Sequence, residues 1–437
     1  MKRITIIGTG YVGLVSGAGI SDFGHLVRCL DIDKQKIDLL NDGSIPIYES
    51  GLKKLIARSV NAKRLTFTVD AEEAIKWAEV IFIAVGTPQN ENGDADISAV
   101  IAVAEQIGKN LNNYKVISTK STVPIGTGKL IQKIIDQNNL DKIKYDYCSN
   151  PEFLREGVAV RDFLHPDRIV LGATSGKAFE YLKDVYRPLY INETPMVHTT
   201  VETAEMIKYA ANAFLAIKIS YINEVANLCD EIGADVHVVA KTLGMDGRIS
   251  PKFLHPGPGF GGSCFPKDTK ALVEIAKKYK IDMVTVTAAI EANKSQRKRM
   301  LNKLNELLDN NLKGKVIAIL GLAFKQETDD VRESPAIEII SGIHDEGGIV
   351  KAYDPIANNS MKEFFPALDY KSNWHEAVKG SDAAVIMTEW NEFRSMDLEK
   401  LKILMSQSVV LDTRNILNVS ELKRLGFKYD NVGRRVA

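Results

Sequence analysis

Cys264 lies in the run Gly259-Phe-Gly-Gly-Ser-Cys264-Phe-Pro-Lys-Asp268. A thiol among glycines has little apolar packing to satisfy, and the glycines let the backbone approach a ligand closely. Lys267 and Asp268 add a cation that favours thiolate and a carboxylate for acid–base work. The run therefore reads as a nucleophile, although a tight turn with an incidental cysteine would look the same in isolation. Lys208 and Asn212 stand four residues apart on an otherwise apolar helical stretch, which puts both on one face, flanked by alanines. Polar groups in such a setting need a partner. Asn150-Pro-Glu152-Phe-Leu-Arg-Glu156-Gly157 carries two carboxylates in one connecting segment. Their bland reading is a pair of solvated or helix-capping charges.

A second chemistry sits at the amino end. Ile4-Thr-Ile-Ile-Gly8-Thr-Gly10-Tyr-Val-Gly13 is a short apolar strand running into Gly-x-Gly-x-x-Gly and then a small-residue helix. Gly8 allows the turn, Gly10 leaves room for a pyrophosphate, and Gly13 lets the helix pack on the sheet, with Tyr11 and Val12 in its first turn. Asp31 ends the next apolar run, where an acid binds a ribose 2′-hydroxyl and repels a 2′-phosphate, so NAD is expected rather than NADP. Asp33 competes for that role, and Lys36 is a further contact to the ribose or phosphate. Thr87 and Thr122 follow two later apolar runs, Val80–Val85 and Lys115–Thr119, on the side of the sheet where ligands bind. Either hydroxyl would serve equally well to cap a turn.

These residues require elements to hold them. Beyond residue 314 the order of features repeats: Lys315–Gly321 parallels Lys2–Gly8, and Gly348–Asp354 parallels His25–Asp31, with later runs at Ala383–Thr388 and Val409–Thr413. The repeat's first turn, Gly321-Leu-Ala-Phe-Lys325, lacks the full glycine pattern, so a different nucleotide-bearing ligand is expected there. Between the halves, residues 202–232 have helical periodicity, and a second helical region covers about 268–312. The expected architecture is α/β, two Rossmann-like doubly wound domains joined by a long central helix: residues 1–200, a helical linker and dimerisation domain at 201–312, and 313–437. At 437 residues the chain is too long for one core. Lys plus Arg and Asp plus Glu both number 56, so no global field points to nucleic acid or a membrane surface. No stretch reaches the length of a membrane span, and Cys29, Cys148, Cys229 and Cys264 lack metal-ligand spacing. A cytoplasmic protein without a metal site is expected. Cys29 and Cys229 read as core residues.

Together the glycine fingerprint, Lys120-Ser-Thr122-Val-Pro124, the Asn150–Gly157 run, Phe163-Leu-His-Pro-Asp-Arg-Ile169, the Lys208/Asn212 pair and the Cys264 run resemble the nucleotide-sugar 6-dehydrogenases, over essentially the whole chain and in order. The resemblance implies a four-electron, NAD-dependent oxidation of UDP-glucose to UDP-glucuronate, with a thiohemiacetal and a thioester on Cys264; the homodimer is expected from the helical stretches between the halves, whose apolar stripe could equally be buried within one chain. The resemblance gives Lys208 and Asn212 the oxyanions, Lys208 also a proton, and leaves Asp268, Thr122 and Glu152 to share the water, Glu152 being first choice as base. It sets Glu156, Lys267 and Arg332 by the cofactor. It sets Glu152, Phe153, Leu154, Arg155, Phe253, Leu254, His255, Gly259, Phe260, Gly261 and Lys325 along the substrate, with Arg414 a weaker candidate and Arg248 reaching a neighbouring subunit's substrate. A GDP-mannose enzyme or a catalytically silent sensor on the same fold are the alternatives. The Gly-Gly-Ser-Cys264 spelling differs from the Gly-Gly-His-Cys of the N-acetylhexosamine branch.

Overall fold

The computed structural model describes residues 1–90 and 94–434. The chain packs as two compact units, Met1–Ala211 and Asn212–Ala437. The first holds a sheet of β1 (Arg3–Ile7), β2 (Leu26–Leu30), β3 (Leu65–Thr68), β4 (Val80–Ile83), β5 (Lys115–Thr119), β6 (Tyr145–Ser149), β7 (Ile169–Ala173) and β8 (Met196–Thr199). Its order is β3-β2-β1-β4-β5-β6-β7-β8, parallel throughout except where β6 meets β7. The second holds β9 (Val316–Leu320), β10 (Ile349–Tyr353), β11 (Asp369–Tyr370), β12 (Ala383–Ile386), β13 (Val409–Asp412) and β14 (Lys428–Asn431), in the order β11-β10-β9-β12-β13-β14 and parallel throughout. Renumbered from its own first strand, the second order repeats the first six strands of the first, so the sequence repeat is a repeat of topology.

The inner strands β1, β4, β9, β12 and β13 are buried on both faces, which is why they read as continuous apolar runs. Side chains alternate between two cores: Ile4 and Ile6 join Leu14, Val15 and Phe82 on one face, while Ile7, Ile81 and Ile83 join Val100 and Ile117 on the other. In the second unit Ile317 and Ile319 face one core, and Ala318 and Leu320 the other. Each such aliphatic side chain contributes about 1.5–3 kcal/mol on burial. In both sheets the ladder order reverses beside the first strand, after β1 and after β9, the place where a doubly wound sheet leaves a ligand crevice.

The long helix Val201–Ile232 begins in the first unit and continues into the second. The helical region expected near 268–312 is two helices, Phe265–Lys278 and Val284–Leu307. The chain turns between them at Lys280, which adopts a positive φ of 59° that a helix interior does not tolerate. Pro266 fits near the start of the first because its missing N–H is one that the first turn leaves unbonded.

Candidate active site

In the first unit the glycine turn follows from steric need. Gly8 has φ 103°, and a Cβ on Gly13 would lie 1.9 Å from the Gly8 carbonyl oxygen. Gly13→Ala would thus force the helix Tyr11–Asp22 off the sheet. A Cβ on Gly10 would meet nothing within 4 Å, so the absence of a side chain opens free space at the helix N-terminus, the room a dinucleotide pyrophosphate requires. Asp31, at the end of β2, accepts from the Thr9 amide (2.7 Å) and hydroxyl (2.6 Å), and Lys36 lies 3.6 Å away. Burial alone would raise this carboxyl, but those bonds, the Asp33 amide and the Lys36 charge prevail and hold it below its ordinary value. Asp33 caps the helix Lys34–Asn41 through the Lys36 amide, a local structural task. These residues fit NAD: a glycine cradle, an uncapped helix N-terminus and an ionised acid beside it.

Tyr11 is engaged with Glu49, and both accept from the Gly157 amide at 2.7 Å. Tyr11 thereby docks the end of the Asn150–Gly157 segment on the first helix. Val12 and Glu156 are half-buried. The Thr87 hydroxyl donates to the Thr122 carbonyl (2.8 Å), which ties the loops after β4 and β5 together.

Glu152 and Lys208 meet as a buried ion pair, 2.9 Å apart, with side chains 7% and 3% exposed. Lys208 Nζ also lies 5.4 Å from the Phe153 ring centroid, and the Leu154 amide donates to the other Glu152 oxygen. Arg155 points elsewhere: it forms a forked pair with Asp162 and is half exposed.

In the second unit Asn212 donates to Asp268 Oδ2 at 2.6 Å, and Lys267 donates to Oδ1 at 2.7 Å. Asp268 is 1% exposed, so both oxygens are satisfied from opposite sides. It lies one turn into the helix Phe265–Lys278, whose N-cap residue is Cys264. Cys29, Cys148 and Cys229 are buried, and burial pushes each of their thiols up; Cys264 alone is partly exposed. A thiol at a helix N-terminus meets the positive end of the macrodipole, which favours thiolate. That placement was not legible in the glycine spelling.

The loop before Cys264 is fastened by groups the sequence reading passed over. Asn293 accepts from the Phe260 amide (2.7 Å) and donates to its carbonyl (3.0 Å), Gln296 donates to the Gly257 carbonyl (2.8 Å), and Arg297 donates to the carbonyls of Phe260 and Glu333. Leu254, Gly259, Phe260 and Gly261 are buried, His255 is exposed, and Phe253 takes a positive φ of 64°. A Cβ on Gly261 would lie 2.3 Å from the Glu333 oxygen, so the loop runs tight against its own unit. Arg332 pairs with Asp330 and Arg248 with Asp246, both at exposed positions. Arg414 donates to the carbonyls of Met387 and Phe324, bracing the residue before Lys325.

Two residues of the first unit received no role in the sequence reading although each had a signal. Lys120 is a charge directly after an apolar strand, and it is buried. Glu205 precedes Lys208 by one turn on the same apolar helix. It is 3% exposed and accepts from the amides of Gly126 (2.6 Å) and Gly128 (2.8 Å).

Three segments match the UDP-glucose/GDP-mannose dehydrogenase family: residues 2–190 its NAD binding domain, 202–295 its central domain and 318–419 its UDP binding domain. The chain is 47% identical over 435 residues to the UDP-glucose 6-dehydrogenase of Rhizobium meliloti strain 1021, covering 99% of each protein. It is also 47% identical to the UDP-glucose 6-dehydrogenase TuaD of Bacillus subtilis strain 168, over 99% of this chain and 94% of that one. Among solved structures, a UDP-glucose dehydrogenase from the hyperthermophilic archaeon Pyrobaculum islandicum superposes with a TM-score of 0.92 at 34% identity, covering 100% of this chain and 98% of that one. No helix among the described residues is long and apolar enough to cross a membrane. With a glycine cradle and acid that fit NAD, and with matches to all three domains in order, this chain belongs to the UDP-glucose/GDP-mannose dehydrogenase family and is an NAD-dependent oxidoreductase.

Proposed function

We propose that this chain oxidises UDP-glucose to UDP-glucuronate through two oxidations joined by a covalent intermediate on Cys264. The observation that carries the reading is the thiol itself: Cys264 alone among the four cysteines is partly exposed, at a helix N-terminus one turn from an Asp268 held by Asn212 and Lys267. The relatives named above, both UDP-glucose 6-dehydrogenases at 47% identity, support the choice of sugar.

Bound NAD supplies the hydride acceptor for each oxidation. Lys208, in its neutral form, takes the proton of the sugar C6 hydroxyl as that carbon becomes an aldehyde. Cys264 Sγ then adds to the aldehyde carbon, and the oxyanion so formed takes a proton to give a thiohemiacetal; Asn212 is a donor for that oxyanion. Loss of the second hydride from the same carbon, together with the hydroxyl proton, which is released to water, leaves a thioester. Water activated by Glu152, with Asp268 and Thr122 orienting it, adds to the thioester, and the Cys264 thiolate departs. One alcohol and one water become a carboxylate, with two hydrides and three protons released. A thiolate suits both halves, as a nucleophile near neutral pH and as a leaving group from an acyl carbon. Lys325, Arg414 and the residues from Phe253 to Gly261 are assigned to the nucleotide-sugar, with Glu156, Lys267 and Arg332 assigned to the cofactor.

The reading includes a homodimer in a reducing compartment, the cytosol, where Cys264 stays a thiol. Phe214, Tyr221 and Leu228 are 62%, 54% and 58% exposed and recur every seven residues along the helix Val201–Ile232, an apolar stripe suited to a second copy. Arg248 is the candidate for reaching the neighbour's substrate.

One preparation tests the whole. Incubated with excess NAD and limiting sugar nucleotide, the purified protein is expected to form two NADH per UDP-glucose and none from GDP-mannose, and light scattering is expected to give twice the chain mass. Turnover of GDP-mannose alone would reverse the choice of sugar, and no turnover by a folded protein that binds NAD would leave only the silent sensor.

A further inference from the structure

Lys120 is 5% exposed at the carboxyl end of β5, and the mechanism above gives it no task. Its ammonium donates to Asn150 Oδ1 (3.2 Å) and to the Tyr186 hydroxyl (3.2 Å). Tyr186 donates to the same Asn150 oxygen at 2.6 Å. Asn150 Nδ2 donates to the Val170 carbonyl (2.9 Å) and its backbone amide to the Thr119 carbonyl (2.8 Å). Asn150 is therefore fixed between β5 and β7, and it opens the Asn-Pro-Glu turn that carries Glu152 two residues on. Glu152 in turn holds Lys208.

The charged and titratable groups facing Lys120 are Glu152, Lys208, the Cys148 thiol and the Tyr186 phenol. Burial raises the last two well above their ordinary values, so both stay neutral and protonated. What remains is one carboxylate in the field of two ammonium groups. Such groups titrate as a set: a proton on one lysine disfavours a proton on the other, since a single negative charge cannot offset both. Burial lowers Lys120 to about 8, with Glu152 opposing the fall and Lys208 adding to it. Lys120 thus remains mostly charged at neutral pH.

We propose that Lys120 is a positioning residue of the oxidation: its bond to Asn150 fixes the turn that carries Glu152, and its charge competes with Lys208 for that carboxylate, so that Lys208 can accept the C6 hydroxyl proton. The proposal rests on the function proposed above. It takes nothing from solvent and needs no further reactant, since the proton that Lys208 accepts comes from the sugar alcohol.

The test is the pH profile of the first NADH formed in a single turnover of the full chain with UDP-glucose and NAD. In wild type the rate rises with pH as Lys208 loses its proton. Lys120→Met removes the second charge, and the rising limb is expected to move to higher pH by about one unit, the size of shift that a neighbouring buried charge produces. Lys120→Arg keeps the charge and is expected to leave the limb where it is, whatever it does to the plateau. Asn150→Asp adds a carboxylate beside Lys120 while retaining the acceptor oxygen, and it too is expected to move the limb upward, which keeps the question answerable if Lys120→Met does not fold. Melting temperature and NADH fluorescence titration establish that each variant is folded and binds cofactor. A Lys120→Met or Asn150→Asp enzyme with a lower plateau and an unmoved limb would overturn the proposal and leave Lys120 a packing residue. If wild type itself releases no NADH from UDP-glucose, the functional reading fails, a result separate from either of those.

Discussion

At the scale of residues, the proposed chemistry rests on a thiol whose neighbours are arranged differently from what the sequence suggests. Lys267 does not need to touch Cys264 to matter. Its ammonium sits on Asp268, and with Asn212 it neutralises the one carboxylate in the first turn of the helix that Cys264 caps. An unpaired acid there would oppose formation of a thiolate. Cys264→Ser replaces the thiol with a hydroxyl that remains protonated at neutral pH and leaves poorly from an acyl carbon. Steady-state NADH formation is expected to fall by on the order of 10³-fold or more, comparable to loss of other covalent nucleophiles, with NADH affinity unchanged. A stable sugar adduct on the introduced hydroxyl, seen by intact-mass measurement of the Cys264→Ser protein, would agree with a slow ester; an undiminished steady rate would remove the covalent step.

At the scale of elements, Glu205 ties the central helix to the helix Thr127–Asn138, whose first turn follows the loop bearing Thr122. A Cβ on Gly128 would come within 2.4 Å of Val201 and 2.8 Å of the Tyr147 ring, so the two helices touch backbone to side chain at this point. Burial raises the Glu205 carboxyl to about 7, against the pull of the Gly126 and Gly128 amides, with Glu202 adding to the rise and Lys129 opposing it. A carboxyl raised by folding binds a proton more tightly in the native state. Its contribution to stability is fully present below the unfolded value and is lost as pH rises through the folded one. Relative to Glu205→Gln, wild type is therefore expected to lose melting temperature as pH rises from about 4.5 through about 7 and to change little above that. Parallel curves for the two proteins would show that Glu205 is ionised throughout. None of this coupling was legible in the sequence, because Glu205 and its two amides are 77 and 79 residues apart. What was legible was local: β1, β2, β4, β5, β9, β10, β12 and β13 emerge from apolar runs, the central helix from its period, and the catalytic candidates from motif spelling. Three of the missed strands have weaker patterns. β8 is an exposed edge containing a histidine, β11 is two residues long, and β3 alternates Leu-Thr-Phe-Thr at the sheet margin. The fastening of the Cys264 loop by Asn293, Gln296 and Arg297 was likewise hidden, since one helix supplies all three side chains more than 30 residues downstream.

At the scale of the whole molecule, two sheets of one topology carry an acid in the same register, and the two acids have different duties. Asp31 follows β2 and Asp354 follows β10. Asp354 is 2% exposed and accepts from the amides of Leu322, Ala323, Ile356 and Ala357, with Trp390 Nε1 a further 3.4 Å from it. With both oxygens spent on its own loop, it has no capacity left for a ribose hydroxyl. Its glycine turn differs as well: Ala323 stands where Gly10 opens the first cradle. Asp31 is less buried, and among the described residues its Oδ1 is engaged only by the Asp33 amide at 3.1 Å. One dinucleotide site per chain follows, although the proposed reaction transfers two hydrides. In the proposed reaction a chain with a single such site has to keep its half-oxidised sugar in place between the two oxidations, and a thiohemiacetal on Cys264 would serve to hold it as well as to carry it forward. Calorimetric titration with NADH is expected to saturate at one per chain. Asp31→Asn is expected to weaken that binding by roughly 10-fold, the cost of a hydrogen bond to a charged acceptor. Asp354→Asn is expected to lower the melting temperature and leave the stoichiometry at one. Two equivalents bound per chain, or loss of binding with Asp354→Asn in a folded protein, would place a dinucleotide in the second sheet and remove the need for Cys264 to hold the aldehyde.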